Sequence, residues 1–361
     1  MIADSALPIL VSALQRHAGH STTLSWPDGQ AASLLQLAAD HGMWGVRDRH
    51  WPRGADLPPE AARARFAVSA LAARNAKRHR DLKQDALHLA ASIADAGYRA
   101  VFLKGAAFLA EDSDAAPWRV MADIDLLVAP QSAQAVYDLL LAHGYSATEA
   151  PDRYREPDHQ HLSPLRAPGS GHSVELHTRL VWDAARNPVP TDDLLASARP
   201  ATEHTPQVLI ASPGHRMAHL VAHAQIGDRN YAARQIVLKD IADVTALAPR
   251  IQDWEAIGAA FAKAGTTPEW LGFLAAVKMI LGSPAHRIPV NTRSGEAWAR
   301  QAMAALQAPE RGRNRLLLHL VADYARRVVR DPRNLGLAIR TLIDPQRRAG
   351  FFGTHYRRWR R

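Results

Sequence analysis

The chain has no cysteine, which excludes a disulfide framework, a thiol nucleophile and any cysteine-ligated zinc site. No stretch approaches the ~20 apolar residues needed to cross a bilayer. The first residues, Met1 to Gly19, carry neither a basic leader nor a long apolar run and read as a helix, so a cytoplasmic protein is the expectation. Two catalytic signatures are also missing. There is no G-x-x-x-x-G-K-[ST] phosphate loop and no H-R-D with D-F-G, which sets aside P-loop and protein-kinase chemistry. Internal repeats and low-complexity tracts are absent too. Lysine is scarce: six occur, at 77, 83, 104, 239, 263 and 278, so arginine carries nearly all the positive charge.

What is present is enough for a substantial core. Over 361 residues, 47% are hydrophobic and 22% charged, which fits a globular protein of one large or two modest domains. The balance of 44 basic against 35 acidic residues gives +9, compatible with a nucleic-acid, anionic-lipid or polyphosphate partner. Much of that excess sits in a tail, residues 347–361, where Phe351, Phe352, Tyr356 and Trp359 lie among arginines. Two readings of the tail stand equal: contact with a polyanion or a membrane surface, or packing on the helices.

Periodicity places the elements. Ala31 to His41 and Pro59 to Ala96 repeat at helical spacing, and the longer segment is expected to bury Phe66, Leu71, Leu82, Leu87, Leu89 and Ile93. Arg74, Lys77, Arg78 and Arg80 then form a solvated face, and Gly97 stops the helix. Tyr98 to Leu103 and Ile124 to Val128 read as short buried strands. Gln131 to His143 is a helix ended by Gly144, and the polar segment through Asp158 reads as a surface loop. His159 to Leu165 alternates like a strand, turning at Pro168 to Gly171 into Ser173 to His177. From Asp192 onward the pattern is helical apart from Gln207 to Ala211, with packing helices expected at Ile257 to Leu281 and Ala299 to Leu342.

The chemistry concentrates between Val101 and Pro130. In Asp123-Ile124-Asp125 the side chains alternate, so both carboxylates share one side of a strand and Ile124 takes the other. Two such carboxylates repel unless a cation lies between them. A lone D-x-D is more often an ordinary strand-entry turn, but its neighbours change the weighing. Lys104-Gly105 ends the preceding strand, where an ammonium and backbone N–H groups suit phosphate. Arg119 could grip a phosphate oxygen bidentately. Glu175 is a third strand-borne acid. His161 and His177 could touch substrate or metal, with polar strand-edge residues at least as good a reading of each. His215, His219 and His223 fall at i, i+4 and i+8 on one helix face, one or two of them towards the cleft, with Asp240 opposite.

Leu103-Lys104-Gly105, Arg119, Asp123 to Val128 and Glu175-Leu176-His177 resemble, in that order, the core of the bacterial uncharacterised nucleotidyltransferase family, within the polymerase-β-like nucleotidyltransferase superfamily. Ala38 to Gly42 resembles its N-terminal helix signature. His219, His223 and Leu238 to Ile241 resemble its C-terminal one, so the likeness covers about Trp26 to Leu247. The resemblance implies an α+β fold: a small mixed-sheet core at 98–185 between helical regions at 1–97 and 186–346, followed by the tail. It implies transfer of a nucleoside monophosphate from an NTP to an acceptor hydroxyl or phosphate. Asp123, Asp125 and Glu175 would be the catalytic metal ligands for two Mg²⁺ ions. Lys104, Gly105 and Arg119 would bind the nucleotide, and His161, His177, His219, His223 and Asp240 would line or support the substrate site. Gly105-Ala106 departs from the superfamily's Gly-Ser. Family members resemble accessory enzymes of peptide-natural-product or exopolysaccharide pathways, so a tailoring substrate is expected. Two rivals stand beside this: an RNA-directed nucleotidyltransferase, favoured by charge but lacking an aromatic-basic RNA module, and a non-catalytic nucleotide-binding regulator, disfavoured by three intact acids.

Overall fold

A computed structural model of the chain describes residues 6–21, 31–50, 59–111, 118–148, 160–282, 288–289, 292–307 and 315. The basic tail, residues 149–158 of the expected surface loop and nearly all of the Ala299 to Leu342 helix beyond Gln307 lie outside the described residues.

Among the described residues, four helices precede the sheet: α1 (Ala6–His17), α2 (Ala31–Asp40), α3 (Trp44–Arg49) and α4 (Pro59–Asp95). The 37 residues of α4 form one helix, ended as expected by Gly97 in a left-handed turn, φ +80°. Leu82, Leu89 and Ile93 are buried along it, but Phe66 is 78% exposed and Leu71 37% exposed, which corrects their place in the core stripe. The buried side of the first turns consists of Ala61, Ala64 and Val68, where α3 and α2 pack against α4 and small side chains let the backbones approach. Further along, the stripe includes Asn75 and His79, both buried. Choosing the largest apolar residues therefore picked the wrong side of the first half of the helix.

Seven short strands make one mixed sheet: β1 (Ala100–Phe102), β2 (Asp123–Val128), β3 (Ser146–Ala147), β4 (Leu165–Arg166), β5 (Ser173–His177), β6 (Arg199–Pro200) and β7 (Leu209–Ile210). Their order is β3-β4-β5-β2-β1-β7-β6. At its centre β2 runs antiparallel to β1 and parallel to β5. The expected strand from His159 shortens to β4, because Pro164 has no N–H to donate to a ladder. Upstream, only an isolated bridge between His161 and His177 joins β5 among the described residues.

Alternation assigns the two faces. Phe102, Ile124, Leu126 and Val128 pack with the second half of α4 and with α6 (Ala133–Ala142), a separate hydrophobic cluster. Val101, Leu103 and Leu127 point the other way, into a larger core shared with the N-terminal helices and the C-terminal ones. The latter are α7 (Thr191–Ala196), α8 (Pro213–Val221), α9 (Asn230–Ala233), α10 (Leu238–Leu247), α11 (Trp254–Lys263), α12 (Thr267–Leu281) and α13 (Arg293–Gln307). The expected single helix from Ile257 to Leu281 is two. Gly265, at φ +66°, breaks it, and buried Thr266 turns its hydroxyl back to the Phe261 carbonyl at 3.2 Å. Both halves pack on the same core, so the apolar period runs through the break unmarked.

Candidate active site

The acids of β2 stand on the face that carries Leu127, towards the C-terminal helices. Parallel pairing sets Asp125 beside Glu175 and Asp123 beside Ser173. Three carboxylates from adjacent strands therefore share one face at one end of the sheet. Neighbouring strands lie only ~4.8 Å apart, so Asp125 and Glu175 are close enough to act on one ligand.

Lys104 follows directly from β1. Leu103 still donates its N–H to the Asp125 carbonyl at 2.9 Å, and then Lys104 adopts φ +47°, an uncommon conformation for a non-glycine residue. This turn starts α5 (Lys104–Ala110) and brings Lys104 Nζ to 2.9 Å from Asp125 Oδ1. His177, fully buried, places Nε2 2.9 Å from the same oxygen and 3.5 Å from Glu175 Oε2. Its Nδ1 is buried without a hydrogen-bond partner, so the proton belongs on Nε2 and the ring donates to Asp125. His161 supports that ring edge-on, with centroids 5.2 Å apart and its own Nδ1 2.8 Å from the Leu162 carbonyl.

These contacts fix the charges. Burial works against ionisation of Asp125, but the Lys104 ammonium and the His177 hydrogen bond outweigh it and hold the carboxyl well below the usual range. Asp123 has no such partner, and burial together with the Asp125 charge pushes it up to about 6. Glu175 is lowered against its burial chiefly by the His177 bond. Burial would lower His177, yet its bonds to Asp125 and Glu175 raise it. Asp125, Glu175 and His177 each offer one donor atom within 4.8 Å of the others, the one such metal-capable group among the described residues. Asp123, two residues before Asp125 on the same face, is not part of that group.

The acids line a cleft of about 480 Å³, bordered also by Asp40 and His41 at the end of α2 and by His223, Asp228 and Lys239 of the C-terminal helices. Segments far apart in sequence meet here. The Leu238 N–H lies 3.3 Å from His41 Nδ1, which burial keeps neutral by lowering its pKa to about 4. Gly42, at φ +63°, leaves room for the Lys239 stem, whose Cδ lies 3.3 Å from where a Cβ would stand.

Arg119 also lines the cleft, with a commitment that the sequence did not disclose. Its Nε lies 3.0 and 3.1 Å from the two carboxylate oxygens of buried Asp243 on α10, and Asn75 Nδ2 donates to its carbonyl at 2.9 Å. Gly105 is required by this packing, since a Cβ there would overlap Arg119 Nη1 and the Met121 side chain. Ala106, next to Gly105, is buried.

His223 lines the cleft, and His219, its ring perpendicular and 6.0 Å away, does not; both line an inner cavity with Asp240. His215 does not join them: its Nδ1 lies 2.9 Å from both Ser197 Oγ and Ser212 Oγ. The chain continues from α8 into a π-helical turn at Ala222–Gly227, so the last histidine no longer follows a simple helical period. Burial pushes Asp240 up to about 7 and His219 well below the usual histidine range. Asp243 went unnoticed in the sequence, and Lys239 was read only as part of the C-terminal signature, although two acids three residues apart in an otherwise apolar helix, Leu238–Leu247, are a visible signal.

Residues 27–282 match the family model described as uncharacterised nucleotidyltransferase. The chain belongs to that family. The match reaches 35 residues beyond Leu247, the limit of the resemblance, and takes in α11 and α12 (282 against 247). No curated protein matches the chain. Membership in this nucleotidyltransferase family supports nucleotidyl transfer in general and implies an NTP substrate and a divalent metal.

Proposed function

We propose that this nucleotidyltransferase moves a nucleoside monophosphate from an NTP to a hydroxyl or phosphate of a small acceptor, releasing pyrophosphate. The observation that carries the reading is the parallel register that sets Asp125 beside Glu175, with Asp123 on the same face, in a cleft reached by Lys104. The donor set fits a hard divalent cation. Carboxylate oxygens gather on one face, and Asp123 is pushed up to about 6 by burial and its neighbour's charge, a repulsion that a cation would relieve. Asp123 and Asp125 would hold two Mg²⁺ ions and Glu175 would share the second. Bound there, the metal would neutralise phosphate charge and lower the pKa of the acceptor oxygen.

The chain's own groups supply the rest. Lys104 brings an ammonium, paired with Asp125, to the cleft wall, a point charge suited to a phosphate oxygen. Arg119, fixed by Asp243, adds positive charge to the wall. His177 orients Asp125 through Nε2–H, so the carboxylate needs no rearrangement to bind. Glu175 takes the acceptor proton as general base. The core at 98–185 carries this chemistry, with the flanking helices forming the acceptor side. An intermediate of a peptide-natural-product or polysaccharide pathway is the acceptor class that the family resemblance favours.

The test uses NTPs labelled at either the α- or the γ-phosphorus, with Mg²⁺ and a panel of hydroxylated and phosphorylated acceptors. Nucleotidyl transfer puts the α-label into product and the γ-label into pyrophosphate. A γ-label in product would mean phosphoryl transfer instead and would contradict the proposal.

A further inference from the structure

Inward from the carboxylates, beyond Lys104, lies a second cavity of about 100 Å³. Lys104, Arg119, His223, Asp228, Val237 and Lys239 line both spaces, so the two adjoin. The inner space is about a fifth of the cleft and has room for a few waters or one small oxyanion. Its wall combines apolar side chains such as Phe108 and Ala211 with Arg216 and His219 of α8.

Arg216 is 7% exposed, with its guanidinium 4.3 Å above the Phe108 ring. Nη1 is bound to Glu111 Oε2 at 2.6 Å, whereas Nη2 is buried with no hydrogen-bond partner. Glu111 does not neutralise Arg216 alone. Arg250 contacts both Glu111 oxygens, at 2.7 and 3.0 Å, and Arg199 stands 3.8 Å away, so one carboxylate serves three guanidinium groups. His219, 3% exposed, likewise has a buried Nε2 without a partner. Of the three acids in the wall, Asp243 holds Arg119, Asp228 lies 3.6 Å from His223, and Asp240 is pushed up to about 7 by burial, so below that pH it stands there as a neutral carboxyl. An arginine keeps its charge in a folded protein, so an unpartnered buried N–H on it calls for an acceptor, and excess positive charge favours an anionic one.

We propose that the inner cavity is a subsite for a small oxyanion, a phosphate or carboxylate group, bound by Arg216 Nη2 and His219 Nε2. The inference rests on the nucleotidyl-transfer reading for its meaning: the oxyanion is either an anionic handle on the acceptor or the end of the NTP phosphate chain. Both sources present the same chemistry to Arg216.

Isothermal titration of the full chain without metal, using inorganic phosphate, pyrophosphate and acetate as probes, tests this. Wild type should bind at least one of them. Arg216→Met removes the donor and its charge, and Ala211→Leu fills the cavity from its apolar wall while leaving every polar group in place, so the second variant decides if the first fails to fold. Each folded variant should weaken binding about tenfold or more, the loss expected for a charge-assisted hydrogen bond. Repeating the titration with Mg²⁺-ATP present separates the sources: competition assigns the oxyanion to the nucleotide, simultaneous binding to the acceptor. No binding to wild type, or binding unchanged in a folded variant, overturns the proposal. Oxyanion binding that depends on Arg216 in a protein without turnover would leave this subsite standing and remove nucleotidyl transfer; turnover without oxyanion binding would do the reverse.

Discussion

Asp125 and Asp240 are both buried carboxyls, and their surroundings send them in opposite directions. Lys104 and His177 hold Asp125 ionised, whereas Asp240 is pushed up to about 7 by burial, despite the neighbouring Lys239 charge. The sign of the Asp240 effect on stability follows from which state keeps the proton. With a folded pKa of about 7 against an ordinary 3.8, the native protein binds a proton between those values that the unfolded chain has released. Stability from this group is therefore full below the ordinary value and is lost as pH rises through the window, by up to about 4 kcal/mol at its upper end. Asp240→Asn should melt higher than wild type at pH 8 and gain less, or nothing, at pH 4. Melting curves for both proteins across this range check it, because groups common to both cancel in the difference. Equal pH slopes would show that Asp240 titrates normally.

At the scale of elements, the strands of the site were legible and their register was not. Asp123-Ile124-Asp125 and Ser173 to His177 show the two-residue alternation of half-buried strands, so the shared face of the two aspartates follows from local geometry. That β5 lies parallel to β2 with Glu175 beside Asp125 depends on the chain between them, over which local pattern has no hold. Arg119 shows the same limit. Its preference for a planar anionic partner was readable, but the partner found in the fold is Asp243, 124 residues away. This buried pair ties α10 to the segment entering β2, and Asn75 ties that segment to α4. Asp243→Ala would leave a buried guanidinium without its acceptor, a change that costs about 3–5 kcal/mol. Urea unfolding of the variant should show that loss as a lower midpoint with an unchanged slope. A loss below about 1 kcal/mol, the range of an exposed pair, would mean that water reaches Arg119.

Across the whole molecule, the pieces of the family signature converge on one cleft from three regions of the chain. Asp40 and His41 come from the end of α2, Lys104 from the start of α5, the acids from the sheet, and His223 and Lys239 from the C-terminal helices. The order of motifs along the sequence revealed the family, but not which of them touch. The α+β layout was likewise readable from alternating periodicities. The first half of α4 and the break at Gly265 were not, because alanine faces and continuous apolar periods leave no mark of what packs against them. The central claim is that the acids of β2 and β5 act together on a metal-bound nucleotide. Its most direct measurement is pyrophosphate release from NTP with and without Mg²⁺, in wild type and in Asp125→Asn. Release by wild type should require the metal and fall in the folded variant by about 10³-fold or more, ~4 kcal/mol in the barrier. Near-native release by Asp125→Asn, or release by wild type that survives complete removal of divalent metal, would contradict the account.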